Sequence, residues 1–367
     1  MDRGKERHMF PGNNTSAGFY SYYRFILPQQ EANHIFCLKG GPGVGKSTFM
    51  KKIAGRMQDA GLSAEYLHCS SDPDSLDGVF FPEIFVALID GTSPHVIDPV
   101  NPGAVDEIVN LGEYWDLDGI KKNKAEIMKI NAEVGKTFRS AYRYLAAARC
   151  ILDNITDLLK ESANPAGSWL EADTVIKQEF SKESVCEKTG RVKKQFASAI
   201  TPSGIVHFIE TLTDGSYKVT FIKNRWGVGV NDLLKRIAEE ACIRGLDAEL
   251  YYCPMEPDSK IEHIIIPGLK LAFLSQNQYY NFRTNAVREV DMTSYMDHGC
   301  MEKNKEALLF SENVFGKLMD ETIRTLHHAK AMHDEMEKYY IPHMNFEKEN
   351  NKLEEIVQRI MEYSEKQ

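Results

Sequence analysis

A lysine and two hydroxyl residues close a glycine-rich stretch near the start of the chain, Gly40-Gly41-Pro42-Gly43-Val44-Gly45-Lys46-Ser47-Thr48. Glycines allow successive backbone N–H groups to curl around an anion, where a Cβ would obstruct it. Lys46 supplies a positive charge for the β- and γ-phosphates of a nucleotide, and the Ser47 hydroxyl is placed to ligate Mg²⁺. The stretch 40–48 therefore predicts a phosphate-binding loop.

The residues on either side of this loop predict the strand and the helix that it requires. The apolar run 34–38 precedes the loop, and a helical pattern follows from Phe49 to Met57. A helix that begins near Lys46 points its positive end at the same phosphates. The pattern G-x-x-x-x-G-K-[ST] in this setting indicates a nucleoside triphosphate as the ligand.

An aspartate directly after another apolar run completes a candidate magnesium site. Residues 84–89 read as a strand that ends at Asp90, which is typical of the Walker-B carboxylate. Such a carboxylate lies at the carboxyl edge of the sheet and holds Mg²⁺ through water. We therefore assign Ser47 and Asp90 to the metal, and Lys46 and Asp90 to the reaction.

Three more side chains are candidates for positioning the attacking water. Asp72 and Asp77 lie in a polar stretch after the predicted strand 64–69, and His95 follows Asp90 in the next loop. Histidine and carboxylates are the usual acid–base groups at neutral pH. Thr92 is a further candidate contact for phosphate. The alternative for the aspartates is a turn in which Asp and Ser cap backbone groups, and for His95 it is a surface position.

Composition narrows the class of protein. A length of 367 residues suggests about two domains, and a net charge of −9 argues against nucleic acid or an anionic membrane as the partner. Seven cysteines without a C-x-x-C pair favour reduced thiols and a cytoplasmic location. No apolar leader and no apolar run of about 18 residues occurs, so we expect no membrane partner.

The second half of the chain repeats the first. A shift of 184 residues places 39–75 on 223–259, and 15 of these 37 positions are identical. A repeat of this length indicates a duplicated domain. We predict an α/β fold of tandem duplicated P-loop NTPase domains with parallel sheets, with domains at 1–190 and 191–367.

Each half also contains a long helical pattern. Apolar residues at alternating spacings of three and four form a seam from Ile127 to Leu159, which is typical of a helix that packs along another helix. We predict helical hairpins at about 119–186 and about 302–364, and a helix at 17–27. The seams could bind a protein partner, and the sequence leaves open whether they pack within one chain or between chains.

The two copies differ where the chemistry is predicted. Lys46-Ser47-Thr48 becomes Val230-Asn231-Asp232, and Asp90 becomes Ser275. Without the lysine, the hydroxyl and the carboxylate, the second loop lacks its phosphate charge and both magnesium contacts. We expect a degenerate nucleotide fold that is retained for structure or regulation.

Two arginines in the second copy, Arg225 and Arg283, are candidates for an arginine finger that reaches the first site. The simpler interpretation of both is a solvated surface position. Asp77 falls on Ile261 at the shift of 184, whereas Asp74 is matched by Asp258. This pattern favours a chemical role for Asp77, and a structural role for Asp74.

The whole chain resembles an uncharacterised bacterial family of tandem P-loop ATP-binding proteins. The residues that carry the resemblance are 40–48, 68–77 and 89–95. The resemblance implies ATP as the ligand and a P-loop NTPase fold, without a particular reaction. In that family the second half is closer to the first at its phosphate loop, and this sequence departs from the family there.

The sequence thus predicts an ATP-binding protein with a slow Mg²⁺-dependent ATPase activity at the N-terminal site. One alternative is a small-molecule kinase, and another is a non-catalytic, nucleotide-gated interaction module. ATP is favoured over GTP because Asn123-Lys124-Ala125-Glu126, which approximates the guanine-binding N-K-x-D motif, opens a helix and ends in Glu. The phosphoryl acceptor, the protein partner and the oligomeric state stay open.

Overall fold

The computed structural model describes residues 3–93, 96–276 and 278–365. In the first half these residues form, in chain order, β1 (Glu6–Met9), β2 (Gly12–Thr15), β3 (Gly18–Ser21), β4 (His34–Lys39), α1 (Lys46–Asp59), β5 (Ala64–His68), β6 (Leu76–Phe81), β7 (Val86–Asp90), β8 (Asp106–Asn110), α2 (Leu117–Lys121), α3 (Lys124–Lys160) and α4 (Ala166–Glu179). In the second half they form β9 (Val192–Gln195), β10 (Ser198–Thr201), β11 (Gly204–His207), β12 (Lys218–Lys223), α5 (Val230–Ile243), β13 (Ala248–Tyr252), β14 (Ile261–Ile266), β15 (Leu271–Ser275), β16 (Arg288–Asp291), α6 (His298–Lys303), α7 (Lys305–Glu337) and α8 (Phe346–Glu365).

The two halves contain six-stranded sheets of the same design. Their strand orders are β1-β5-β6-β7-β4-β8 and β9-β13-β14-β15-β12-β16, and the pairs run in the same relative directions in both. Two similar sheets of mostly parallel strands fit the predicted α/β tandem duplication.

The prediction of parallel sheets holds for most strands and is wrong for one strand in each half. β6 runs antiparallel to β5 and β7, and β14 does the same in the second sheet. The four residues between β6 and β7 are too few for a parallel crossover, which takes a dozen residues or more. The start of β6, Leu76 and Asp77, lies in the polar stretch that the sequence predicts as a loop.

The predicted helix at 17–27 is also wrong. These residues form β3, which pairs with β2, and a short 3₁₀ helix, Tyr23–Phe25. Gly18 has a φ of 104°, which glycine adopts at no steric penalty and which a helix interior does not contain. The turn at Gly18 therefore directs the chain into a hairpin.

The two sheets pack face to face, with helices on the outside. Side chains alternate along β4, so Ile35 and Cys37 join the core between the sheets, while Phe36 and Leu38 pack against α1. The second sheet contributes Val219, Tyr251, Ile265, Ala272 and Leu274 to the same central core. The loop after β4 thus leaves a strand that is buried on both faces.

The long helices do not form the predicted hairpins, because each one packs along its equivalent in the other half. Asn154 Nδ2 donates to Ser311 Oγ over 2.9 Å, and Asn304 Nδ2 donates to the Leu158 carbonyl over 3.4 Å, so α3 and α7 run in opposite directions. The buried positions of α3 are Val134, Ala141, Leu145, Ala148, Leu152, Ile155 and Leu159. The apolar seam is therefore covered within the chain.

The last helix of each half packs on the opposite half. Leu353, Ile356 and Ile360 of α8 join the core beneath α1, and α4 packs against α5 in the second half. Each core is completed by a helix that the sequence assigns to the other copy.

Among the helices that the structure describes, none is long and apolar enough to cross a membrane. All seven cysteines are free, as the sequence predicts.

Candidate functional site

The phosphate-loop residues connect β4 to α1 at the carboxyl edge of the first sheet. Lys46 begins α1, and its Nζ lies 3.6 Å from Asp90 Oδ2 at the end of β7. The same Nζ donates to the carbonyl oxygens of Gly40, over 2.5 Å, and Gly41, over 3.3 Å. Since β4 and β7 are neighbouring parallel strands, their ends bring the predicted lysine and carboxylate together.

The carboxylate of Asp90 is held in one orientation by the residue that follows in the loop. Its Oδ1 accepts the Thr92 N–H over 2.8 Å and also accepts the Thr92 hydroxyl. The other oxygen, Oδ2, is thereby left facing Lys46. Thr92, a candidate phosphate contact in the sequence, here orients Asp90.

Ser47 anchors the next strand of the sheet. Its Oγ accepts the Leu76 N–H over 3.0 Å, and in the second half Asn231 Oδ1 accepts the Ile261 N–H over the same distance. This contact is therefore common to both halves. A hydroxyl oxygen has a second lone pair, so Ser47 can still ligate a metal.

A second lysine near the loop was not identified from the sequence. Lys39, at the end of β4, donates to the Gly91 carbonyl, the Ile97 carbonyl and Asp98 Oδ1, each over 2.7 Å. It thus fixes both ends of the segment after β7. His95 belongs to this segment and, with Pro94, lies outside the described residues, so its predicted role stays a prediction.

Asp72 lies beside the long helix α7 and forms an ion pair with it. Its Oδ2 accepts the Ser75 hydroxyl over 2.7 Å, and its Oδ1 lies 3.7 Å from Lys330 Nζ. In the second half, Glu256 is 3.4 Å from Arg149 of α3. Because the half without the loop lysine keeps an equivalent ion pair, this contact does not depend on phosphate chemistry.

Asp77 lies within β6, where it is buried and accepts the Tyr23 hydroxyl over 2.6 Å. The pairing of β6 and β14 with their neighbours makes Glu262 its counterpart, one residue beyond Ile261. Glu262 is also a buried carboxylate. The argument that Asp77 follows the loss of chemistry is therefore wrong, because the sequence shift missed one residue at the turn before this strand.

The first loop is covered by the second half of the chain. Gly43 N–H donates to Glu337 Oε1, at the end of α7, over 3.3 Å. A Cβ on Gly43 would lie 2.9 Å from Ile341 Cγ1 and 3.3 Å from Tyr340 Cβ. None of these covering residues was identified from the sequence.

A shift of 181 residues would have drawn attention to this region. It places Asp116 on Asp297, and these two residues cap α2 and α6 in the same way. The same shift places Glu337 on Thr156, so a carboxylate at this point is present in only one copy.

Two side chains of the second half occupy the second loop. Asn224 Oδ1 accepts the Gly227 N–H over 2.7 Å, and Lys260 Nζ donates to the Trp226 carbonyl over 3.2 Å. The cavity beside these residues measures about 10 Å³, which holds about one water molecule. Arg225, a candidate arginine finger, lies 3.2 Å from Glu312 of α7.

A much larger cleft, of about 1490 Å³, lies between the halves at the amino ends of β1, β5 and β13. Four of its charged residues form two ion pairs, Arg7 with Glu249 and Lys193 with Glu65. Ligands of open α/β sheets bind outside the carboxyl ends of the strands, which is where the loop at 40–48 lies.

Comparisons of the chain with protein-family models, with curated proteins and with solved structures find no match. The residues of this chain and their geometry are therefore the basis for a functional assignment.

Proposed function

We propose that the first half of the chain binds ATP with Mg²⁺ at residues 40–48 and hydrolyses it slowly. The observation that carries the proposal is the 3.6 Å approach of Lys46 Nζ to Asp90 Oδ2 across two neighbouring strands. In the second half Val230 and Ser275 replace both residues, and the loop there is filled. The Lys46–Asp90 pair and the intact glycine loop occur in the same half, as we expect if both bind the same nucleotide.

Lys46 and the loop amides would hold the triphosphate. The present acceptors of Lys46 are neutral carbonyl oxygens, and a phosphate oxygen is a stronger, charged acceptor for the same ammonium group. The first turn of α1 adds unpaired N–H groups and the positive end of the helix dipole.

Ser47 and Asp90 provide the hard oxygen ligands that Mg²⁺ prefers, so the residues present fit this metal. When bound, Mg²⁺ neutralises charge on the β- and γ-phosphates. The orientation that Thr92 imposes on Asp90 would keep the carboxylate ready for this contact.

Slow hydrolysis follows from the positions of the candidate water-positioning groups. Asp72 is engaged by Ser75 and Lys330, and Asp77 is engaged by Tyr23. Catalysis by these aspartates would require them to leave those partners. ADP formation that rises only when a small acceptor is added would favour the kinase alternative.

Calorimetry with Mg·ATP tests the proposal, with Lys46→Ala compared with Lys52→Ala. Lys52 lies on the same helix, donates to Asn350 Oδ1 over 3.0 Å and is exposed. We expect one nucleotide per chain and a roughly 10- to 100-fold loss of affinity in Lys46→Ala, because a charge-assisted hydrogen bond is lost. The Lys52→Ala variant should bind normally. Equal affinity of both variants would refute the assignment.

A further inference from the structure

The contact between Gly43 and Glu337 joins the predicted phosphate loop to the far end of the chain. The amide of Gly43 is one of the N–H groups that a phosphate oxygen would use, and it donates to a carboxylate oxygen over 3.3 Å. Glu337 is the last residue of α7. An anionic side chain thus takes a hydrogen bond from the loop that is predicted to bind an anion.

The second loop provides an internal comparison for this contact. Gly227, the counterpart of Gly43, donates its N–H to Asn224 within the same loop, over 2.7 Å. Thr156, the counterpart of Glu337, donates its hydroxyl to the Leu152 carbonyl of its own helix. Among the residues that the structure describes, a carboxylate from the opposite half therefore accepts this loop amide only where the lysine is intact.

Besides this contact, the interactions of the Glu337 side chain are weak. The Nδ1 atom of His333 lies 3.9 Å from Glu337 Oε1, and the Glu337 side chain is 34% exposed. The residues that follow it, Tyr340 and Ile341, lie against Gly43, and Tyr340 also packs on Trp115 with ring centroids 5.5 Å apart. Movement of Glu337 would therefore also disturb the turn between α7 and α8.

A triphosphate and this carboxylate cannot use the Gly43 amide together. Both are acceptors for the same N–H group, and two negative charges at hydrogen-bonding distance in a partly enclosed site repel each other. A ligand shifts an equilibrium only through its different affinity for the two states, and competition for one amide provides that difference.

We propose that Glu337 is a latch: its carboxylate occupies the place of a phosphate oxygen at Gly43 in the nucleotide-free protein, and triphosphate binding displaces it and releases the end of α7. The inference rests on the proposed function and adds its regulation. Nucleotide binding in the first half thereby changes the packing of the second half, which gives the degenerate copy a regulatory role.

The test compares Glu337→Gln with Glu335→Gln in the full-length protein. Glu335 lies on the same helix, is exposed and pairs with Lys338 over 2.5 Å. Glutamine keeps the shape of the latch and removes its charge. We expect Mg·ATP to bind roughly 5- to 20-fold more tightly to Glu337→Gln than to the wild type, a change in the range of typical coupling between sites. Glu335→Gln should match the wild type.

Hydrogen–deuterium exchange provides a second readout in the wild-type protein. Residues 337–345 should exchange faster when Mg·ATP is present, because the end of α7 loses its contact with the loop. Unchanged exchange there, or unchanged affinity in Glu337→Gln, would overturn the latch. A weaker affinity in Glu337→Gln would overturn it too, since Glu337 would then support nucleotide or metal binding.

The Lys46→Ala variant separates a failure of the latch from a failure of the proposed function. If the wild type binds ATP through Lys46 and Glu337→Gln binds equally well, the latch alone is wrong. If neither the wild type nor Glu337→Gln binds nucleotide, both proposals are wrong. Binding by Glu337→Gln but not by the wild type would support both.

Discussion

Glu349 lies beside Gly45, although the two residues belong to opposite halves of the chain: its Oε1 is 3.6 Å from the position that a Cβ on Gly45 would take. Glu349 is only 2% exposed, and its Oε1 receives no hydrogen bond within the described part of the chain. At the second loop, Ser168 of α4, which belongs to the first half, takes this place and donates to the Gly229 carbonyl over 2.9 Å. Among the described residues, a buried carboxyl thus lies beside the first turn of α1, after the intact phosphate loop, whereas a serine lies at the equivalent place beside α5.

Replacement of this carboxyl by an amide should stabilise the protein at neutral pH. Burial raises the pKa of Glu349, so the folded protein holds its proton more tightly than the unfolded chain. Ionisation of the buried carboxyl lowers the free energy of unfolding. This loss is therefore absent below the unfolded pKa of about 4.3 and grows as the pH rises through the folded pKa. We expect Glu349→Gln to raise the free energy of unfolding by about 1 kcal/mol at pH 7 and to have little effect at pH 4.

Urea unfolding of the variant and the wild type at the two pH values measures this difference. Glu347→Gln is the control, since Glu347 is exposed on the first turn of the same helix. A gain of equal size at both pH values would contradict a protonation effect.

Two glycines of the loop and its helix should respond to alanine in opposite directions. Gly45 has a φ of +86°, a left-handed conformation that costs an alanine about 1–2 kcal/mol. Gly55 lies within α1, and a Cβ there would meet nothing within 4 Å, so alanine should add about 0.5–1 kcal/mol of stability. Thermal unfolding of Gly45→Ala and Gly55→Ala checks both signs, and a loss of stability in Gly55→Ala would show that α1 is not packed as described.

A partly buried ion pair across the two halves should make stability depend on acid. Arg7 Nη1 and Nη2 donate to the two oxygens of Glu249, over 3.1 and 2.5 Å, and Nη1 also donates to Glu65 over 3.0 Å. Burial alone would raise the pKa of Glu249, but Arg7 outweighs it and lowers the pKa to about 2. The stabilisation is therefore complete above the unfolded pKa of about 4.3 and is lost as the pH falls towards 2.

Glu249→Gln should lower the free energy of unfolding by about 1–3 kcal/mol at pH 7, because Arg7 loses one charged acceptor and keeps Glu65 as the other. Urea unfolding at pH 7 and pH 3 measures the effect, and the variant should differ less from the wild type at pH 3. A double variant that replaces both Arg7 and Glu249 by leucine should be less destabilised than Glu249→Gln, whereas a larger loss would argue against a paired charge.

Because α4 and α8 each pack on the opposite half, we expect that the halves do not fold separately. A fragment of residues 1–190 lacks Leu353, Ile356 and Ile360, which are at most 2% exposed in the core beneath α1. Loss of such contacts typically costs about 2–5 kcal/mol per large aliphatic side chain. We expect this fragment to aggregate when expressed alone and to be recovered as a folded complex when coexpressed with residues 191–367. Cooperative unfolding of the isolated fragment would show that it does not need α8 from the second half in order to fold.

Local patterns in the sequence determined the duplication, the phosphate-loop prediction and the strand before it. The glycine spacing and Lys46 are local signals, because a tight turn and a helix start are specified within a few residues. The position of Asp90 at the carboxyl edge of the sheet also followed from sequence, because an apolar strand leads directly into it, whereas its 3.6 Å approach to Lys46 comes from the structure. Binding of ATP at this site stays a prediction until it is measured.

Only the tertiary structure decided the partners that come from distant parts of the chain. Strand register, which a single inserted residue changes, made Glu262 the counterpart of Asp77. An apolar seam specifies that a helix is buried but not which helix covers it, so the pairing of α3 with α7 could not be read from spacing. Glu337 ends α7 and contacts Gly43 from the opposite half of the chain, and no local pattern encodes this approach.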